Sequence, residues 1–178
     1  MIGFLRFVGL LNAAVWFGAA LFFTFGIGPA VFSQEMRGLL GEHNYPFFSG
    51  AIAQVLIARY FDLQLICGLM ALLHAFTEWL YLGRPLQRFW LGLLVGLFAA
   101  GLLGGWVLHP RIKDLHARKY AQSLPAPARV AAAGSLRLWH GVAQGINVLV
   151  LVGLGAYLWR VAHPVSTARF VSPIKFQS

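Results

Sequence analysis

Four long apolar stretches, residues 7–32, 63–82, 89–108 and 138–159, limit the folds that this chain can adopt. An α-helix needs about 20 apolar residues to cross a hydrocarbon core about 30 Å thick, and only helices and closed barrels satisfy their own backbone there. The chain lacks the short alternating strands of a membrane barrel. The sequence therefore predicts an all-α, integral membrane four-helix bundle, with residues 1–178 forming a single four-span transmembrane domain.

The composition supports the same class of protein. Of the 178 residues, 59% are hydrophobic and 11% are charged, which is too little polar material to cover a water-soluble globule. The net charge of +9 comes from Lys and Arg residues in short connectors beside the apolar stretches, not from one basic domain. This distribution predicts anionic lipid headgroups as partners and argues against nucleic acid.

Prolines mark the predicted helix boundaries. Pro29 weakens the end of the first span, and Pro110 follows the third span, where it should stop the helix. A short turn from Gly83 to Arg88 makes the second and third spans antiparallel neighbours. From Pro46 onward an unbroken apolar pattern predicts that the second helix begins well before residue 63, with its first turns outside the hydrocarbon.

Charged residues next to the spans are predicted to lie at the membrane boundary. Arg59 and Asp62 are spaced i, i+3 just before the second span, so we expect them to form a structural ion pair. The segment "RIKDLHARKY" after the third span places His116 and several cations at the surface, in contact with lipid headgroups.

Small residues recur along the third and fourth spans, where they favour close helix packing. In lipid there is little hydrophobic drive between helices, so small residues let the backbones approach. The pattern predicts packing within one bundle, with homodimerisation through the same face as the alternative. The residues are Gly92, Gly96, Ala100 and Gly104 on the third span and Gly141 and Gly145 on the fourth.

Three polar side chains interrupt the fourth apolar stretch. At 100° per residue, His140, Gln144 and Asn147 fall within a narrow arc and cover about 10 Å of helix length. Because a polar side chain that faces lipid is costly, the stripe should face the bundle interior or a wet cavity. Hydrogen bonds across helices, for example to Asn12 on the first span, are the simplest use of these side chains.

The second span carries soft metal-ligand types along one face. Cys67, Met70 and His74 follow one another at helical spacing, and thiol, thioether and imidazole are groups that a cuprous ion prefers. One helix cannot complete a ligand shell, and single Cys and Met residues are common apolar fillers. These three residues are therefore candidates for a metal site that would need a ligand from another helix.

His74 also opens two further possibilities. Glu78 lies one turn beyond it, and two protonatable groups at this spacing suit a proton or ion path. A buried haem with two imidazole ligands would need a second histidine at a matching depth, and the candidates are His109 and His140. We expect a poor match, because His74 lies midway along its span while the other two lie near the ends of theirs.

Motifs of known enzyme chemistry are absent from the sequence. It has no GxSxG elbow, no phosphate-binding loop, no HExxH and no CxxCH haem attachment. Asp and Glu together number only five, so a two-carboxylate active site is hard to assemble. The sequence therefore predicts a protein without enzyme activity and without a resident cofactor.

Three segments carry a resemblance to a known family: "RFVGLLNAAVWFGAALFFTFGIGPAVF", "VLHPRIKDLH" and "WHGVAQGINVLVLVG". Together they resemble the bacterial DUF4149 family, which is related to the transmembrane protein 205 domain. The resemblance implies a four-helix membrane protein of largely uncharacterised molecular role, whose eukaryotic relatives are associated with resistance to platinum drugs. It supplies no catalytic set. The signature positions that it implies are Asn12, Pro29, Pro110, His140 and Asn147.

These observations favour a small accessory or structural protein of the bacterial cytoplasmic membrane, alone, as a homodimer or within a larger membrane complex. One alternative is a transport or small-ligand-binding component with an interior polar site. Its residues would be Asn12, His74, Glu78, His140, Gln144 and Asn147. The other alternative is a haem- or copper-binding redox subunit.

Overall fold

The computed structural model describes residues 2–82 and 87–163, and this part of the chain is helical without strands. The short turn expected between the second and third spans lies mostly outside the described residues. Four of the helices are long and apolar enough to cross a membrane, which confirms the predicted all-α four-helix architecture. The helices are α1 (Ile2–Phe22, Phe23–Ile27 and Gly28–Val31, continuous), α2 (Gln34–Leu40), α3 (Tyr45–Leu82), α4 (Arg88–Leu103, Gly104–Leu108 and His109–Tyr120, continuous) and α5 (Ala126–Ala162).

Both α1 and α4 contain one widened, π-helical turn directly before a proline. The N–H of Gly28 donates to the carbonyl of Phe23, and the N–H of His109 donates to the carbonyl of Gly104, so each bond spans five residues. Proline lacks an N–H and its ring clashes with the carbonyl four residues earlier, but the widened turn makes room for it. For this reason α4 continues past Pro110 to Tyr120, and the expected helix end at that proline is wrong.

The long helices exceed the predicted spans. Helix α3 begins at Tyr45, in agreement with the apolar pattern after Pro46, and α5 begins at Ala126 rather than near residue 138. Pro127 in the first turn of α5 has the φ angle that a helix start requires, and it needs no N–H partner there. At 1.5 Å per residue, the 37 residues of α5 extend about 55 Å, so the helix exceeds the hydrocarbon thickness.

The bundle core lies in the half of the molecule that is nearer to the start of α1 and the end of α5. Trp16 and Leu154 are its largest fully buried side chains, and the Trp16 ring meets Tyr157 edge to face at 6.3 Å between centroids. Small residues make room for them: Ala13 and Ala20 on α1 are almost wholly buried. Leu94 and Leu97 bring α4 into the same core.

The series of small residues on α4, from Gly92 to Gly104, packs against a neighbouring helix in only one half of its length. Gly104 and Gly101 are buried against α3, and the Phe61 ring lies directly over Gly104. In the described residues, no atom lies within 4 Å of a Cβ position at Gly92 or Gly96. The same is true of Gly141 and Gly145 on α5. The predicted close packing therefore occurs at the π-helical turn in the middle of α4, and the other glycines form open surface.

His116 is buried, contrary to the surface position expected from its charged sequence neighbours. Its ring lies against Gly50 of α3 and stacks on Phe47 at 5.5 Å between centroids. The reason is that α4 continues beyond Pro110, which turns one face of the segment "RIKDLHARKY" toward α3 and α5. His116 is on that face together with Ile112 and Leu115, whereas Lys113 is exposed.

Candidate ligand cavity

A cavity of about 420 Å³ lies among the four long helices, at the end of the bundle that is opposite the start of α1 and the end of α5. Both π-helical turns border it, because Phe23 and Ile27 of α1 and Leu108 and His109 of α4 are in its wall. The wall is mostly apolar and includes Ile57 of α3. A widened turn shifts the side chains that follow it, so the two turns help to open this space.

The polar stripe of α5 lines the cavity. Asn147 donates from Nδ2 to the hydroxyl of Thr24 on α1 at 2.8 Å, and Thr24 in turn donates to the carbonyl of Ala20 at 2.8 Å. Gln144 Nε2 lies 3.4 Å from His140 Nε2, one turn away on the same helix. Both of these side chains are exposed, so the cavity opens to the outside between α5 and its neighbours.

Asn12 does not meet the stripe. It is buried and donates from Nδ2 to the backbone carbonyl of Cys67 at 3.0 Å, in the bundle core. Thr24 lies twelve residues further along α1, which is about 18 Å at 1.5 Å per residue. Asn147 therefore bonds to Thr24, and the suggested contact between the stripe and Asn12 is wrong because the two groups lie at different depths.

A buried hydrogen-bond chain leads from the core to the cavity. The indole N–H of Trp16 donates to Gln64 Oε1 at 2.8 Å, and Gln64 Nε2 donates to the hydroxyl of Tyr60. Tyr60 lines the cavity and stacks on Phe23 at 4.4 Å between ring centroids. The sequence interpretation missed Tyr60 and Gln64, although their spacing of four residues in an apolar helix was a usable signal.

Gln54 adds an unsatisfied polar atom to the cavity wall. Its Oε1 is buried and has no hydrogen-bond partner within the described part of the chain. Its backbone carbonyl accepts a bond from His109 Nε2 at 3.1 Å, which fixes that imidazole against α3. Buried polar atoms are nearly always satisfied in folded proteins, so this unpaired oxygen lowers the stability of the bundle locally.

The His74 region lies at the other end of the bundle. Its Nε2 donates to the carbonyl of Leu5 at 2.9 Å, and the ring lies against Gly9 of α1. Along α3, His74 is 20 residues from Gln54, the contact of His109, which corresponds to roughly 30 Å. His74 therefore cannot share a haem with His109 or with His140 of the cavity, and Glu78 lies still further away.

The three soft side chains of α3 have separate surroundings. Cys67 is buried in the core, Met70 is 43% exposed, and the Nε2 atom of His74 is already bonded to Leu5. Within residues 2–82 and 87–163, no group of three or more His, Cys, Asp or Glu side chains is placed to hold a metal ion.

Arg59 and Asp62 lie outside the cavity on the surface of α3. Arg59 Nη1 is 3.3 Å from Asp62 Oδ2, and the two side chains are 83% and 61% exposed. The pair therefore has the spacing that the sequence suggested, in a well-solvated or headgroup-level position where an ion pair adds little free energy.

Sequence comparison gives one family and no individual relative. Residues 11–121 match the family described as a domain of unknown function (DUF4149). No curated protein and no solved structure shows significant similarity to this chain. The matched range includes the cavity residues Thr24, Gln54, Tyr60 and His109, whereas the stripe of α5 lies beyond it. The match covers more than half of the chain, and this small membrane protein therefore belongs to the DUF4149 family.

Proposed function

We propose that this membrane protein is an accessory protein that binds a small, mostly apolar molecule in the cavity between its four long helices. The observation that carries the proposal is the cavity itself, with its apolar wall and the stripe of His140, Gln144 and Asn147. Ligand sites typically measure about 300–1,000 Å³ and combine apolar walls with a few placed polar groups. A volume of about 420 Å³ falls within that range.

The position of the cavity supports entry from the bilayer. His140 and Gln144 are exposed, and the adjoining surface of α5 carries the exposed apolar residue Val148. A ligand dissolved in lipid would thus reach the polar groups along an apolar face.

The remaining features of the proposal concern setting and chemistry. We place the protein in the bacterial cytoplasmic membrane, in contact with anionic lipid headgroups through its Lys and Arg residues, and we assign it no reaction of its own. The support is the net charge of +9 and the absence of a catalytic motif in the sequence. Self-association through the open glycines of α4 and α5 belongs to the same proposal.

Photolabelling tests the binding site directly. The protein in lipid nanodiscs is irradiated with octanol that carries a diazirine on its chain, and the labelled peptides are identified by mass spectrometry. Ala143 lines the cavity, so Ala143→Phe should fill it and remove the label from the peptides that contain Tyr60 and Asn147. Ala14 is exposed on α1, and Ala14→Phe is the matched control. Labelling that is equal in both variants would contradict a cavity site.

A further inference from the structure

We infer that the ligand of the cavity is an uncharged amphiphile with a hydroxyl group, not a fatty acid or another anion. This inference rests on the proposed function, because it assigns the chemistry of the same site. Its basis is the direction of the hydrogen bonds around the cavity, which fixes the polar groups that remain for a ligand.

Tyr60 is left as a donor. An indole N–H can only donate, so Gln64 must turn its Oε1 toward Trp16 and its amide nitrogen toward Tyr60. The hydroxyl oxygen of Tyr60 consequently accepts a bond from Gln64, and its own proton remains to be donated. Tyr60 is 9% exposed and lies in the cavity wall, so a ligand acceptor is the natural partner of this proton.

Asn147 is left as an acceptor. The carbonyl of Ala20 can only accept, so the Thr24 hydroxyl donates to it and can only accept from Asn147. This fixes the amide nitrogen of Asn147 on Thr24 through one of its two N–H groups and leaves its Oδ1 as an acceptor for a donor. The orientation of the Asn147 amide therefore follows from its bonding partners.

His109 contributes a second acceptor. Its Nε2 lies 3.1 Å from the backbone carbonyl of Gln54, so Nε2 carries the proton. In a neutral imidazole the other nitrogen, Nδ1, is then an acceptor. The hydrogen bonds of these three residues thus leave Tyr60 as a donor and Asn147 Oδ1 and His109 Nδ1 as acceptors, beside the exposed side chains of His140 and Gln144, which can donate or accept at the open side of the cavity.

A hydroxyl group matches this set because it donates and accepts at once. A carboxylate or phosphate is an acceptor only, so it could bond to Tyr60 but would leave the acceptor atoms of Asn147 and His109 without a donor and would place its charge in a mostly apolar space. An ammonium group could satisfy both acceptors, but it would leave the Tyr60 proton unused, and it would lose its hydration without a counter-ion. Burying a charge without a partner costs far more than burying a bonded hydroxyl.

The test compares two photoprobes that differ only in the headgroup. Diazirine-bearing octanol and octanoate with the same diazirine are applied to the protein in nanodiscs at pH 8, where a carboxylic acid is ionised. We expect Ala143-dependent labelling by the octanol to exceed that by the octanoate by about tenfold, which corresponds to about 1.4 kcal/mol. Tyr60→Phe should reduce the octanol labelling, whereas Tyr45→Phe, which removes a hydroxyl that is bonded to the carbonyl of Phe32 and does not line the cavity, should not.

The outcomes distinguish a failure of the hydroxyl assignment from a failure of the proposed ligand-binding function. Equal labelling by both probes, or stronger labelling by the octanoate, would overturn the assignment of a hydroxyl ligand and leave a binding cavity in place. The assignment would also be overturned if Tyr60→Phe and Tyr45→Phe both kept the preference for octanol. If Ala143→Phe reduced the labelling by neither probe, the proposed function and this inference would be overturned together.

Discussion

Replacement of Gly104 by alanine tests whether the π-helical turn of α4 packs against α3 as described. A Cβ atom added at Gly104 would lie 3.0 Å from Cδ1 of Phe61 and closer still to the edge of that ring. The ring has little room to retreat, because its neighbours are Tyr60 at 5.8 Å and His109 at 6.5 Å between centroids. Its easiest movement is into the cavity that it already lines.

The expected loss of stability follows from a comparison of Gly104→Ala with a second glycine variant of α4. Overpacking costs about 1–3 kcal/mol, whereas alanine gains up to about 1 kcal/mol over glycine in helix propensity. Gly96→Ala shares the propensity gain but meets no atom within 4 Å in the described residues. The propensity term cancels between the two variants, so Gly104→Ala should be less stable than Gly96→Ala by about 1–3 kcal/mol.

Reversible unfolding in mixed micelles, followed by circular dichroism as dodecyl sulfate is added, measures this difference. Phe61→Leu should recover most of the loss in the Gly104→Ala background, because the smaller side chain removes the clash. A difference between the two glycine variants of less than about 0.5 kcal/mol, with no recovery by Phe61→Leu, would refute the packing of α4 on α3.

Three further predictions concern individual contacts. Asn147→Leu should destabilise the bundle by about 0.5–2 kcal/mol through loss of its bond to Thr24. If the effects of Asn147→Leu and Thr24→Val simply add in the double variant, the bond contributes nothing. Arg59→Gln should change the free energy of unfolding by less than about 1 kcal/mol, because its ion pair with Asp62 is exposed; a larger loss would place the pair in an apolar setting. Ser33 caps α2 by accepting from the N–H of Met36 at 3.2 Å. Ser33→Ala should therefore speed amide exchange over α2, and unchanged exchange would remove the role of the cap.

The general architecture could be predicted because it depends on length and apolarity alone. A stretch of about 20 apolar residues has few alternatives to a membrane-crossing helix, so the four spans and the early start of α3 were accessible from the sequence. The inward direction of Asn147 followed from the cost of placing an amide in lipid. These inferences need no knowledge of the partner helix.

The details that depend on three-dimensional contacts were not accessible. Pro110 ends a helix by the usual rules, but a π-helical turn before it relieves the clash, and no simple pattern in the sequence specifies that turn. Once α4 continues, His116 becomes buried against Gly50, and Gln54 and Tyr60 become part of a cavity wall. The site thus depends on a local backbone adjustment that periodicity cannot predict.

The central claim is that the space between the four helices is a ligand site, and an anomalous difference map tests it most directly. Crystals grown from lipid in the presence of 8-bromo-1-octanol would be measured at the bromine absorption edge. The account predicts a bromine peak inside the bundle, with the hydroxyl end of the density near Tyr60 and Asn147. Bromine peaks only on the lipid-facing surface, with the Phe61 ring filling the space between the helices, would contradict it.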